Sequence, residues 1–373
     1  MNNIPGRFRT ILDSAACFPF DDFFAAITPQ KVRHIIHKDN LTKSDFLALL
    51  SPVAEPFLEE MAQKAHQVTV QQFGKVVFLY TPLYLGNFCN NQCVYCGFNT
   101  VNPVPRNKLS VEEIEKEAIA IAESGHRHIL ILTGEDRVQT SVEYIRQSIE
   151  ILKKYFSSIS IEIYPLSREE YSQLIESGVD NLTIYQETYN RKLYAALHPH
   201  GPKKDFYYRL DTPQRALDAA MRTVNIGALL GLDDFRKECF FGGLHARFLQ
   251  DTYPASEIGY SLPRMQSHAG SFPVPHPVAD AHLVQMITAL RLFMPRLGIS
   301  ISTREPARLR DKLIPLGVTR MSSGSKTSVG GYAAEHHAGS KQFEISDSRS
   351  VKEIEETLFS MGYQPVYKDW ERI

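Results

Sequence analysis

Three of the five cysteines fall in NFCNNQCVYCGFN, residues 87–99, at Cys89, Cys93 and Cys96. Thiolates crowded this closely bind zinc or an iron–sulfur cluster. A structural zinc site closes with four ligands in a tetrahedron, and here there are three. The nearest histidines, His126 and His128, are predicted at the start of a strand, away from this loop. A cluster held by three cysteines keeps one metal without a protein ligand. An open position is what a catalytic metal site offers its substrate. The spacing Cys-x3-Cys-x2-Cys has an aromatic residue, Tyr95, just before the third cysteine. The alternative from another class is a zinc or iron–sulfur scaffold without catalysis.

Five cysteines in 373 residues are too few for a disulfide framework. The cluster needs a reducing compartment. Cys17 and Cys239 lie far from it and are expected to be small buried hydrophobes. Lys plus Arg number 41 against 42 Asp plus Glu, so overall charge gives no reason to expect nucleic acid or an anionic membrane as partner. The N-terminus lacks the long apolar core of a secretion signal, and no apolar run is long enough to cross a bilayer. A globular cytoplasmic protein is expected.

The elements that must position the cysteines follow from periodicity. Residues 1–72 show apolar spacings near three and four, the helical period, and are expected to form a helical N-terminal extension. From Phe73 the pattern alternates. Short β-branched or apolar runs are predicted as strands at 75–82, 128–134, 158–165, 181–187, 225–232, 258–264, 298–305 and 318–324. Helical stretches separate them, several with capping signals such as Ser110 with Glu113, and Ser167. Strict alternation implies a parallel sheet with right-handed crossovers. Eight strands fit a closed (β/α)8 TIM-type barrel over 73–323. An open doubly wound sheet is the competing fold, but no GxGxxG follows the first strand. Residues 324–373 are predicted as a Gly/Ser-rich loop and one more helix completing the barrel. The EHH at 335–337 lies in that loop and is expected to be solvated.

Barrel active sites lie at the C-terminal ends of the strands. That rule selects the cysteine loop after strand one, Thr133, Gly134 and Glu135 after strand two, and Glu162 and Tyr164 at strand three. It also selects Glu187 at strand four, Arg264 at six, Arg304 at seven and Ser322 at eight.

The chain here resembles the radical S-adenosylmethionine (SAM) superfamily, whose signature is the cysteine spacing above. Within it, PLYLGNFCNNQCVYCGFN, TGED, IYQETYN, LHPHGPKKDFYYRLDTPQRA, SLPRMQ, STREPARLRDKL and MSSGSKTSVGGY resemble the 2-iminoacetate synthase family. These are the tyrosine lyases of thiazole synthesis for thiamine. The resemblance covers almost the whole chain and is weakest before about residue 70. It implies a [4Fe–4S] cluster on Cys89, Cys93 and Cys96, with SAM on the fourth iron. It also implies cleavage of the Cα–Cβ bond of L-tyrosine to 2-iminoacetate and p-cresol, begun by hydrogen abstraction from the amino group. Methionine and 5′-deoxyadenosine come from SAM.

Residue roles carry over with it. Thr133, Gly134 and Glu135 are candidates for the SAM ammonium, Glu187 for its ribose, Arg215 for its carboxylate, and Tyr95 for packing near cluster and adenine. Arg304 is the candidate for the tyrosine carboxylate, with Ser322 adding a hydrogen bond and Arg264 as runner-up. Tyr84, Glu162 and Tyr164 are candidates for the phenol. The resemblance further implies a flavodoxin- or ferredoxin-type electron donor and thiazole synthase as protein partner, with Trp370 a candidate anchor. Two relatives compete: tryptophan lyases, and the tyrosine lyase that matures iron-only hydrogenase. The latter carries a cysteine-rich C-terminal extension, and no cysteine follows Cys239 here.

Overall fold

The computed structural model describes residues 7–15, 17–267, 272–333, 340–368 and 370. Eight parallel strands form the barrel: β1 (Val76–Gly86), β2 (His128–Thr133), β3 (Ser158–Glu162), β4 (Asn181–Glu187), β5 (Thr223–Ala228), β6 (Glu257–Ser261), β7 (Gly298–Ile301) and β8 (Arg320–Ser322). Each pairs with the next, and β1 closes the ring by pairing with both β8 and β2. The open-sheet alternative is thereby excluded.

The strands form because their apolar runs are short, β-branched and bounded by capped helices. Ile129, Ile131, Ile159, Ile161, Leu182 and Val224 are buried within them. The predicted capping boxes are present. Ser110 Oγ accepts from Glu113 N at 3.3 Å while Ser110 N donates to the Glu113 carboxylate at 2.7 Å. Ser167 and Glu170 repeat the arrangement. Such caps contribute about 1 kcal/mol each and fix where each strand's crossover begins.

The observed strands are mostly shorter than predicted. The helix expected over 212–224 spans only Thr212–Asp218, because Ala220 takes a left-handed φ of +66°. β5 accordingly starts two residues earlier than predicted. One strand was not foreseen: β9 (Gln364–Val366), which pairs in parallel with Val76–Phe78. Phe78 also pairs with Arg320 of β8, so β9 lies on the opposite edge of β1, below the start of β2.

Before β1, helices include Lys43–Leu49 and Leu58–Phe73, and they pack on the barrel's outer layer. Phe46 stacks on Phe293 with centroids 4.5 Å apart, and Gln285 Nε2 donates to Leu49 O and Ser51 O, both at 2.9 Å. Cys239 is buried as expected; Cys17 is exposed, on a turn between two short N-terminal helices. No described helix is long and apolar enough to cross a membrane. The 335–337 histidine pair lies outside the described residues. Trp370 lies beneath the barrel, with the Arg222 guanidinium 4.7 Å from its ring centroid, just before the start of β5.

Candidate active site

β1 runs straight into the cysteine loop, which crosses the barrel mouth. Its backbone is held by side chains rather than by regular structure. Arg106 donates to the carbonyls of Asn87, Phe98 and Asn99 at 2.7–2.9 Å, and Asn99 Nδ2 donates to Cys93 O at 3.0 Å. The loop lies close against the end of β2. A Cβ on Gly134 would sit 2.1 Å from Phe88 O, and one on Gly97 would sit 2.5 Å from Gln342 O. Only glycine admits these approaches.

Two adjoining cavities, each of about 90 Å³, fill the mouth. One is lined by all three cysteines with Thr133, Gly134, Glu135 and Arg209. The other is lined by Tyr95, Lys203, Met265, Arg304 and Phe343 among others. Cys96, Glu162, Tyr185, Glu187, Lys203 and Gln342 line both. Seven predicted site residues besides the cysteines therefore meet in one place if Glu162 is included: Tyr95, Thr133, Gly134, Glu135, Glu162, Glu187 and Arg304.

Charge is arranged in pairs. Glu135 accepts from Arg209 Nη1 at 2.9 Å and from Asn91 Nδ2 at 2.8 Å. Glu187 accepts from Lys203 Nζ at 2.6 Å, with Arg209 Nη2 at 3.5 Å. Burial pushes the Glu187 carboxyl up, but Lys203 and Arg209 outweigh it and hold it below the ordinary value. Glu187 also sits at φ +71°, where the β4 ladder slips register. A non-glycine residue held in left-handed backbone marks strain that the surrounding contacts must sustain. Tyr95 is pinned through His198, 2.7 Å from its hydroxyl. Burial pushes His198 down to about 3, so the ring is neutral. Its Nδ1 must donate to Tyr194 O at 2.8 Å, which leaves Nε2 to accept from the Tyr95 hydroxyl.

Several predicted residues lie elsewhere. Arg215 lines neither cavity: its guanidinium donates to Leu166 O, Tyr208 O and Thr212 Oγ1 and stacks on the Tyr208 ring at 3.9 Å. The arginine that lines the cysteine cavity is Arg209. Ser322 stands behind the mouth, where its Oγ accepts from Thr303 N at 3.1 Å and so braces the turn that carries Arg304. Arg264 is consumed by Glu305 and Asp280. The Tyr84 hydroxyl donates to Gln342 Oε1 and the Tyr164 hydroxyl to Thr140 O, each at 2.6 Å, and neither residue lines a cavity. Arg304 itself has no carboxylate partner among the described residues. Its guanidinium lies 3.4 Å from the centroid of Phe343, on the segment after residue 339.

Sequence reasoning missed Lys203, Arg209, Asn91, Arg106 and the pair Gln342–Phe343. Lys203 and Arg209 lie inside the LHPHGPKKDFYYRLDTPQRA stretch, whose density of cations after a strand-end carboxylate was the available signal.

A sequence model of the radical SAM superfamily matches residues 83–238, and one of the Biotin and Thiamin Synthesis associated domain matches residues 262–364. The 2-iminoacetate synthase of Escherichia coli (strain K12) is 39% identical over 367 residues, 97% of this chain and 97% of its own. The chain belongs to the 2-iminoacetate synthase family. Among solved structures, HydG, a maturase of the [FeFe]-hydrogenase, superposes with a TM-score of 0.85 at 30% identity, covering 97% of this chain and 79% of its own. HydG from Carboxydothermus hydrogenoformans gives 0.83, again at 30% identity, over 97% of this chain and 83% of its own. As a member of the family the chain is a radical SAM lyase, and its cofactors are a [4Fe–4S] cluster and SAM.

The residues present fit those groups. Among the described residues no three His, Cys, Asp or Glu side chains could share a single metal ion. All three thiols line the same cavity, and thiolates are the ligands of an iron–sulfur cluster. Burial pushes the Cys93 and Cys96 thiols up, and a bound cationic iron core reverses that balance. Thr133 Oγ1 is buried at the same wall with no hydrogen-bond partner, an acceptor or donor awaiting a ligand.

Proposed function

We propose that the chain cleaves the Cα–Cβ bond of L-tyrosine, giving 2-iminoacetate and p-cresol, with methionine and 5′-deoxyadenosine from SAM. The observation that carries this is an unpaired, half-buried Arg304 lining the same cavity as Cys96. Beside it stands the 39% identity with a 2-iminoacetate synthase over 97% of the chain. HydG shares less sequence, 30%, so the hydrogenase-maturase alternative has less support.

Cys89, Cys93 and Cys96 hold the cluster in this reading. Cluster and SAM together supply a carbon radical able to remove a hydrogen atom. Glu187, ionised by its two cations, accepts from ribose hydroxyls, and Lys203, which lines both cavities, keeps it charged. Thr133, the Gly134 backbone and Glu135 receive the SAM ammonium. Arg209 takes the place expected of Arg215 nearest SAM's carboxylate. Tyr95, fixed by His198, packs beside cluster and adenine. Arg304 binds the tyrosine carboxylate in a bidentate fork, flattened against Phe343, which keeps water off one face. Ser322 acts through the Thr303 amide to set that arginine's turn.

A flavodoxin- or ferredoxin-type protein supplies the electron, and thiazole synthase consumes the unstable imine. Anaerobic reconstitution, reduction and addition of SAM with tyrosine or tryptophan tests the reading. p-Cresol formed from tyrosine supports it. 5′-Deoxyadenosine without p-cresol, or a 3-methylindole-type product from tryptophan instead, overturns it.

A further inference from the structure

The strand ends carry several carboxylates, and most are answered. Glu135 has Arg209 and Asn91, Glu187 has Lys203 and Arg209, and Glu305 has Arg264. Glu162, the last residue of β3, lines both cavities, and its carboxylate accepts no hydrogen bond from a described residue. A polar group sheltered in a cavity without a partner is costly unless a ligand supplies one. Across the same cavity Arg304 also lacks a counter-charge. An α-amino acid presents a carboxylate and an ammonium on one carbon, so its binding site needs a cation and an anion that are close but not paired with each other.

We propose that Glu162 receives the ammonium group of the substrate amino acid and takes a proton from it. This rests on the tyrosine-lyase reading and names the half of substrate recognition that Arg304 leaves unassigned. One N–H bond of the ammonium breaks and an O–H bond forms on the Glu162 carboxylate. The electron pair stays on nitrogen, leaving a neutral amine. The family's chemistry begins at that nitrogen, and a neutral amine gives up a hydrogen atom more readily than an ammonium, whose removal would leave a cationic radical.

The surroundings suit a proton acceptor. Burial pushes the carboxyl up to about 7, and Glu187 adds to that, while Arg304, Lys203 and Arg209 pull it down. The phenols of Tyr80, Tyr84 and Tyr185 also face it, each pushed up by burial. A base poised near the working pH is the efficient one. The two other cations are already held by Glu135 and Glu187, so Arg304 alone is free to draw the substrate's carboxylate to Glu162's side.

The test compares two ligands on the reconstituted holoenzyme with SAM bound and no reductant, so that nothing turns over. L-Tyrosine has the ammonium; 3-(4-hydroxyphenyl)propanoate lacks it but keeps carboxylate and phenol. Calorimetry on Glu162→Gln should show tyrosine affinity reduced about tenfold or more, with the desamino ligand changed less than about twofold. Arg304→Ala should weaken both ligands. Glu162→Asp, which keeps the charge, should recover part of the preference for tyrosine. In turnover, p-cresol formation by Glu162→Gln should fall about a hundredfold or more while iron content and SAM affinity stay unchanged. Equal losses for both ligands would assign Glu162 to the phenol and overturn the proposal. No loss for either, or a loss of SAM affinity, overturns it as well. A wild-type holoenzyme that binds neither ligand overturns the tyrosine reading itself.

Discussion

Gly134→Ala tests whether the site depends on the close approach of β2 to the cysteine loop. The new Cβ would lie 2.1 Å from Phe88 O and 2.7 Å from Phe88 C. Both are backbone atoms, so no side chain can swing aside. Ordinary contact requires the Phe88 carbonyl to move by about 1 Å or more, and the next residue is Cys89. Gly134 N is also tied to Gly86 O at 2.9 Å, so β2 cannot retreat without losing that bond. The barrel's core is not involved, so overpacking should cost about 1–3 kcal/mol globally. A displacement of about 1 Å at a reacting group lowers catalysis by roughly a hundredfold. The expected result is a folded protein by circular dichroism with poor iron uptake on anaerobic reconstitution. Its p-cresol kcat/KM should be at least about a hundredfold lower. Gly298→Ala serves as the control, since its Cβ would meet nothing nearer than 3.6 Å. Wild-type iron content and activity in Gly134→Ala would refute the placement of the loop against β2.

Cys93→Ala should abolish SAM cleavage while the barrel's circular dichroism is retained; residual 5′-deoxyadenosine formation would remove that thiol from the cluster. Arg304→Ala should raise the KM for tyrosine by about tenfold to a hundredfold without changing the cluster's visible absorbance, and loss of that absorbance would contradict its assignment to substrate. Burial pushes His126 down to about 4 and His128, His198 and His245 to about 3. Their folded values lie below the unfolded one near 6.5, so stability is complete above that pH. It is lost as pH falls, by roughly 1.4 kcal/mol per pH unit per histidine. Three buried carboxyls act the other way, since burial pushes Glu162 and Asp180 up to about 7 and Glu238 to about 8, so stability gained at them as pH falls offsets most of this loss. Denaturant midpoints should therefore fall only gently from pH 7 to pH 5, while NMR at pH 5 should show all four rings neutral; a protonated ring at that pH would refute the assignment.

The parts legible in the sequence were those whose physics is local. Three thiols within eight residues announce a metal site wherever the chain folds. Alternating apolar runs and capped helices specify the barrel one unit at a time, and the strand ends then follow. What was not legible depends on helix phase. Arg209 and Arg215 lie in one quoted stretch, but Asp211 ends the helix Phe206–Leu210 and a new one starts at Thr212. The break resets which side chain faces the mouth, so Arg209 reaches Glu135 and Glu187 while Arg215 turns to Leu166 O. The bond from Thr303 N to Ser322 Oγ was hidden for a related reason: alternation along a three-residue strand gives no register until its neighbours are known. Glu187's left-handed backbone had no sequence signal either, and the two cations beside it answer its carboxylate's charge. Each strand-end carboxylate that must stay charged is given its cation by the fold. Arg304 and Glu162 are left with neither, and an unpaired cation facing an unpaired acid is a place kept open for a zwitterion.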